Sequence, residues 1–257
     1  TAYTALDDTA AYEKAGITTE QWNAKQAAAW YADGGDSETP SAYAWQGNNC
    51  WTLDALTAAR EQGYDTVIAD ASFDADQTEA VHTGTYVVHT PAGDVTVLKE
   101  QSTLGTLAKG QATSTDAQAE SSDAGRLARL VAQSAFYQME QPYAERNLLV
   151  CLNEDSDPSV VDALMSDIEQ SPWLNLTDLA TLKDADISED AASMSTDLPQ
   201  TDGLTDSMRS DVQQTLSALA NSSSNIKRFN TSILVKPNGK DESDVNTWSR
   251  QLTNAHT

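Results

Sequence analysis

Residues 42–70, AYAWQGNNCWTLDALTAAREQGYDTVIAD, read as strand, break, helix, glycine stop and strand. Thr52 stands where a capping hydroxyl is needed, Leu53, Leu56 and Ala59 follow helical spacing, and Gly63 supplies the left-handed stop. The run TVIAD at 66–70 is short and β-branched, as a buried parallel strand should be. A crossover of this length joins parallel strands, so the stretch predicts an α/β fold. In such folds the loops at the C-terminal strand ends converge on one face, which draws attention to Trp45 and Asp70.

Outward from this unit the pattern continues. TYVVHTPAGDVTVLKE at 85–100 shows two alternating runs around PAGD, a hairpin signal, with His89 near the turn and His82 in the loop before it. Both histidines read as surface residues. Residues 106–124 lack a period and predict a loop or a frayed helix start. A helix follows to about Gln141, with Leu127, Leu130, Val131, Ser134 and Ala135 on one side and Pro142 at its end. NLLVCLNE at 147–154 is a central-strand candidate, and Asp157 followed by Pro158 is a strong helix start before Val160, Val161, Leu164, Met165 and Ile168. The segments 42–46, 65–70, 95–99 and 147–152 are expected in one sheet.

On the other side of the opening stretch, residues 2–5 suggest a short strand, and Asp7 or Asp8 caps a short helix ending at Gly16. TTEQ at 18–21 is a capping box, with Trp22, Gln26 and Trp30 at helical spacing beyond it. Folded material from the first residues is what a piece of a longer chain would show. From about 183 to 202 the composition turns acidic and Ser/Asp-rich, a linker. Leu204, Met208, Val212, Leu216 and Leu219 then resume helical spacing. The expected organisation is an α/β barrel-like domain over 1–182, a linker over 183–202 and a helical segment over 203–257.

The 257 residues suffice for a sizeable core, and 39% hydrophobic content with no long apolar run argues against both disorder and a membrane helix. Thirty-nine acidic against 15 basic residues leave a formal net charge of −24. That field repels nucleic-acid phosphates and anionic lipid, so neither nucleic acid nor direct membrane contact is expected. Cys50 and Cys151 lack paired metal spacing and stand apart from His82, His89 and His256, so no structural metal is expected. Cys50 before a helix and Cys151 inside a strand favour free thiols, the alternative being a single long-range disulfide in an oxidising compartment.

Chemistry would sit at the strand ends: Asp7 and Asp8, Trp45, Asp70, Glu100, and Asn153, Glu154 and Asp155. Carboxylates with one indole suit a glycan site, where one carboxyl donates a proton, another attacks or activates water, and the ring stacks on a sugar face. Asp70, Glu100 and Glu154 are the candidate catalytic acids, and Trp45, Asp8 and Asn153 the candidate ligand contacts. In so acidic a chain each carboxylate can equally be a helix cap. The sequence contains no glycine-rich phosphate loop, G-x-S-x-G, H-E-x-x-H or C-x-x-C, and no cofactor is expected.

The stretch at 42–70, VTVLKEQSTLGTLA at 95–108 and NLLVCLNEDSDPSVVDALMSDIEQSPWLNLTDLATL at 147–182 resemble an uncharacterised family of actinobacterial surface proteins. The likeness is carried by the strand ending in Trp45, by Asp157–Pro158, by Pro172–Trp173–Leu174 and by Leu176 to Leu182. It implies a secreted protein with a large extracytoplasmic part and a membrane anchor elsewhere in the full-length chain. That family is distantly similar to glycoside hydrolase/deacetylase β/α barrels acting on polysaccharides. The His-x-x-x-His metal set of such deacetylases does not occur here. The fold class expected is thus α/β, a parallel β/α barrel-like sheet, incomplete or whole, with outer helices and a helical C-terminal segment. The function expected is a binding or scaffold module of the cell envelope, with cell-wall glycan or envelope proteins as partners. The alternative is a glycan hydrolase using paired strand-end carboxylates.

Overall fold

The computed structural model describes residues 13–16, 23–31, 41–47, 50–73, 80–153, 156–185, 198 and 206–232. Asp8 and Glu154 lie outside them, as do Trp22 and most of the expected linker. The chain divides into two compact units, one of Thr1–Ala2 with Ala42–Asp202 and one of Tyr3–Ser41 with Gly203–Thr257.

In the smaller unit, helix α1 (Ala24–Tyr31) starts with the Asn23 carboxamide accepting from the Gln26 N–H at 2.8 Å. The expected stop at Gly16 has a φ of 87°, and its N–H donates to the Glu13 carbonyl. A single 27-residue helix, Asp206–Ser232, follows the helical spacing read there, and Leu216 is buried.

The larger unit carries the sheet. Strand β1 (Ala44–Trp45) pairs in parallel with β2 (Thr66–Ala69), which pairs in parallel with β4 (Gly93–Lys99), while β3 (Thr85–Thr90) runs antiparallel to β4. The order is β1-β2-β4-β3. Among the described residues the barrel expectation reduces to this open, mixed, four-stranded sheet. The reason lies in the hairpin. Its two-residue turn at Pro91–Ala92, closed by the Thr90 hydroxyl and by Gly93 at a φ of 117°, folds β3 onto the edge of β4 where a next parallel strand would go. The fourth expected strand, 147–152, is left with one parallel bridge, Leu149 to Glu100.

Helix α2 (Leu53–Glu61) begins as read: the Thr52 hydroxyl accepts from the Ala55 N–H at 3.2 Å, and Gly63 follows at a φ of 86°. Ala55, Leu56 and Ala59 are buried, whereas Leu53, in the first turn, is exposed. Helix α3 (Ser102–Ala108) occupies part of the stretch expected to be irregular, and a short 3₁₀ turn (Gln118–Ser121) leads into α4 (Asp123–Glu140). Leu104 and Leu107 of α3 pack with Leu127, Leu130 and Tyr137 of α4 and with Leu164 of α5 (Pro158–Gln170). Leu148, Val150 and Leu152 pack against this cluster, which holds the 147–152 segment although its ladder is short.

Asp157 caps α5 and Asp178 caps α6 (Leu179–Asp184). Hydrogen bonds from Ser159 to Asp157, and from the Thr181 N–H to Asp178, hold both carboxyls below their ordinary range. The caps therefore add stability that is present above the usual carboxylate pKa and lost as pH falls through the lowered values. Acidification below about pH 4 is expected to fray these two helix starts first, read by hydrogen exchange at Ser159 and Thr181. No described helix is long and apolar enough to cross a membrane.

Candidate functional site

At the C-terminal end of β4 the neighbour on one side changes within three residues. The Lys99 N–H donates to the Gly84 carbonyl at 2.7 Å, still on the hairpin side. The Glu100 N–H donates to the Ala69 carbonyl of β2 at 3.0 Å, and the Gln101 N–H to the Leu149 carbonyl at 2.8 Å. Antiparallel β3 thus hands over to the parallel 147–152 segment. The handover needs Gly84, because a Cβ there would lie 2.8 Å from the Lys99 carbonyl oxygen. Between the departing β3 and the arriving segment opens a cleft of about 270 Å³, whose walls include His82, Tyr86, Lys99, Glu100, Gln101 and Leu149. A crevice at carboxyl strand ends where sheet neighbours change is where open α/β sheets bind ligands.

Glu100 is the pivot. It is 2% exposed. One carboxylate oxygen accepts from the Lys109 ammonium at 2.5 Å and the other from the Cys151 N–H at 3.1 Å. It therefore ties the end of α3 to the 147–152 segment. The carboxyl leans on Gly105 of α3, where a Cβ would lie 2.5 Å from Glu100 Cδ. With both oxygens bonded, Glu100 has no cheap way to retreat. Gly105→Ala is expected to cost about 1–3 kcal/mol by overpacking, read as a lowered urea midpoint with an unchanged slope.

Burial, and after it the Glu100 charge, push the Cys151 thiol up to about 11, with Lys109 opposing and Asp70 adding to the rise. Asp70 and Glu100 thus act on one thiol, and the strand ends bring these two predicted acids to the same neighbourhood. Asp70 is occupied locally, however: one oxygen accepts from the Ser72 N–H at 3.0 Å and from its hydroxyl at 2.5 Å. The Ser72 hydroxyl also lies 3.7 Å from Cys50 Sγ. Both cysteines are free thiols. At pH 8 only a trace of Cys151 is thiolate, so native alkylation of it is expected to be very slow and to accelerate as pH rises toward 11. Two thiols should titrate after unreduced denaturation. Mass mapping of the alkylated peptides reads both results.

The other candidates spread out. Trp45, 47% exposed, ends β1 opposite Ile68 and is not among the residues lining the cleft. Asn153 is exposed, its N–H donating to the Ser156 hydroxyl at 3.1 Å. Asp8 and Glu154 lie outside the described residues. Sequence reasoning passed over His82, Tyr86 and Gln101. His82 Nε2 lies 3.5 Å from the Tyr86 hydroxyl, and Tyr86 is fully buried with Phe73 edge-on at 5.5 Å. Gln101 receives the Leu104 N–H as cap of α3 and donates to the Tyr137 hydroxyl. The readable signal was the alternation of His82, Gly84 and Tyr86, which line one wall as the chain enters β3. Among the described residues no three His, Cys, Asp or Glu side chains gather closely enough to hold a metal ion.

No curated protein and no solved structure matches the chain. One family spans it from end to end: the match to the Family of unknown function (DUF6049) covers residues 1–257, and the chain belongs to that family.

Proposed function

We propose that the chain is a binding module of the cell envelope, extracytoplasmic and membrane-anchored in its full-length form, which takes glycan at the strand-end cleft without turning it over. In this reading the open sheet is a reduced relative of the carbohydrate-active β/α barrels. The observation that carries it is the bonding of Glu100. A glycosidase needs two carboxyls flanking the scissile bond, with ~5 to 9.5 Å between them, and one of them free to give up a proton. Among the described residues Glu100 is the acid that lines the cleft, yet it is enclosed and bonded to Lys109 and the Cys151 N–H. Such a group organises a site instead of cycling a proton through it. A polar cleft with an apolar side at Val81, Leu148 and Leu149 suits a sugar, which presents hydroxyls at its rim and C–H groups on its face. Exposed Trp45 offers a stacking surface for neighbouring units of a longer glycan.

The test is titration of the full ectodomain against cell-wall oligosaccharides by calorimetry, alongside an assay for new reducing ends. Saturable binding with no release of reducing ends is expected. Trp45→Ala should weaken a long glycan about threefold to tenfold, the equivalent of ~0.5–1.5 kcal/mol, while a monosaccharide is unaffected. Release of reducing ends that disappears in Glu100→Gln would establish the hydrolase instead.

A further inference from the structure

We propose that two copies of this chain pair through the outward stripe of α4, antiparallel and about a two-fold axis. The pairing stands apart from the cleft and from the glycan reading. Helix α4 buries Leu127, Leu130, Ser134 and Tyr137 on its inner side. Ala132, Phe136 and Met139 repeat at intervals of four and three residues and fall on the opposite side. Phe136 is 56% exposed, Met139 is 70% exposed, and Tyr143, in the turn just beyond the helix, is fully exposed. Large apolar side chains scattered singly on a surface call for no partner, but a row of them along one helix does. The four-three repeat is also the spacing with which one helix packs along another. Residues 124–139 contain no acid, so the repulsion between two chains of charge −24 has no local source on this line.

The stripe itself selects a second copy and its direction. At its start Gly125 is covered, because a Cβ there would collide with the Ala119 carbonyl. The open part therefore runs from Ala128 to Tyr143. Two antiparallel copies overlap fully about its midpoint, between Ala135 and Phe136. That register sets Ala132 of one copy against Met139 of the other, Ala128 against Tyr143, and the two Phe136 rings beside each other. Small residues thus face large ones, and the helices can approach closely. The charges agree. Arg129, 49% exposed, and Glu140, 30% exposed, flank the stripe on one side, near its opposite ends. Glu140 accepts from the Val81 N–H and meets Arg146 through the same oxygen, Oε2. Arg129 meets Glu120 through Nε at 3.6 Å, too long for a hydrogen bond. An antiparallel pair brings Arg129 of each copy to Glu140 of the other, whereas a parallel pair would set Arg129 beside Arg129. Such an exposed ion pair contributes direction more than affinity. One helix stripe covers well under the ~800 Å² per partner of a stable complex, so the dimer is weak, with a Kd on the order of 100 μM.

Sedimentation equilibrium of the whole chain, from about 10 μM to about 1 mM, spans that Kd and should show a monomer–dimer equilibrium. Phe136→Asp should weaken the pairing at least about tenfold, because it places a charge at the centre of the contact. Arg129→Glu should weaken it about threefold by setting like charges opposite each other. Leu53→Asp, at an exposed apolar position on α2, should leave the equilibrium unchanged. Thermal unfolding of each variant reports its folding. A monomer at every concentration overturns the pairing and leaves the stripe to a different protein. A dimer that survives Phe136→Asp has its interface elsewhere and overturns the pairing as well. A dimer lost with Phe136→Asp but unmoved by Arg129→Glu overturns the antiparallel direction.

Discussion

Glu100→Ala is expected to lower the unfolding free energy by about 3–5 kcal/mol, the usual result of removing one partner from a buried ion pair. Three losses combine. Lys109, whose side chain is only 16% exposed, is left without its carboxylate. The Cys151 N–H loses the acceptor that anchors the 147–152 segment. A void opens against Gly105. Typical domains have about 5–15 kcal/mol in total, so the variant should be much less stable at 37 °C. Urea unfolding reads the effect. Two companion variants separate the causes. Glu100→Gln keeps the shape and should lose less. A Glu100→Met/Lys109→Met double variant removes both charges and should recover much of the loss, because an apolar pair of similar volume often replaces a buried ion pair without penalty. A loss under about 1 kcal/mol for Glu100→Ala would mean that the pair does not hold the cleft together.

Trp51→Ala should cost a similar amount, about 3–5 kcal/mol. Trp51 is 1% exposed, and its indole N–H donates to the Ile68 carbonyl of β2 at 2.8 Å. It precedes the Thr52 cap and follows a β1 of two residues, too short a ladder to fix the crossover alone. The indole therefore pins the start of α2 to the middle of β2. Trp51→Phe keeps most of the apolar volume and orphans the carbonyl, so a smaller loss of about 1–3 kcal/mol is expected. If Trp51→Phe and Trp51→Ala were equally harmful, the hydrogen bond would dominate; if Trp51→Phe were neutral, packing alone would.

Much of the fold was legible because its signals are local. The Thr52 cap and Gly63 stop, the Asp157–Pro158 helix start and the Pro91–Ala92 turn each depend on residues within about four positions, and side-chain and backbone chemistry acts at that range. The parallel pairing of Ala44 and Trp45 with Val67 and Ile68 follows from the short β-branched run at 66–70 and the crossover helix that precedes it. The site was less legible. Asp70 and Glu100 could be placed at strand ends, but their bonding could not. Asp70 turned inward to Ser72, two residues on, and Glu100 found Lys109 and the backbone of Cys151. His82 read as a loop histidine, and only the neighbouring wall at Leu148 and Leu149 makes it part of a cleft.

The sequence alone thus determined the βαβ unit, the hairpin, the helix starts and the strongly acidic surface. Tertiary structure decided which segment owns the edge of β4. Gly84 and Leu149 both bond that edge, one through Lys99 and the other through Gln101, and the cleft is the gap between them. That outcome depends on steric room at Gly84 and on apolar packing around 147–152, both set by residues far apart in the chain. Periodicity and capping rules carry no term for such competition, because pairing energies compare whole segments only once they are brought together.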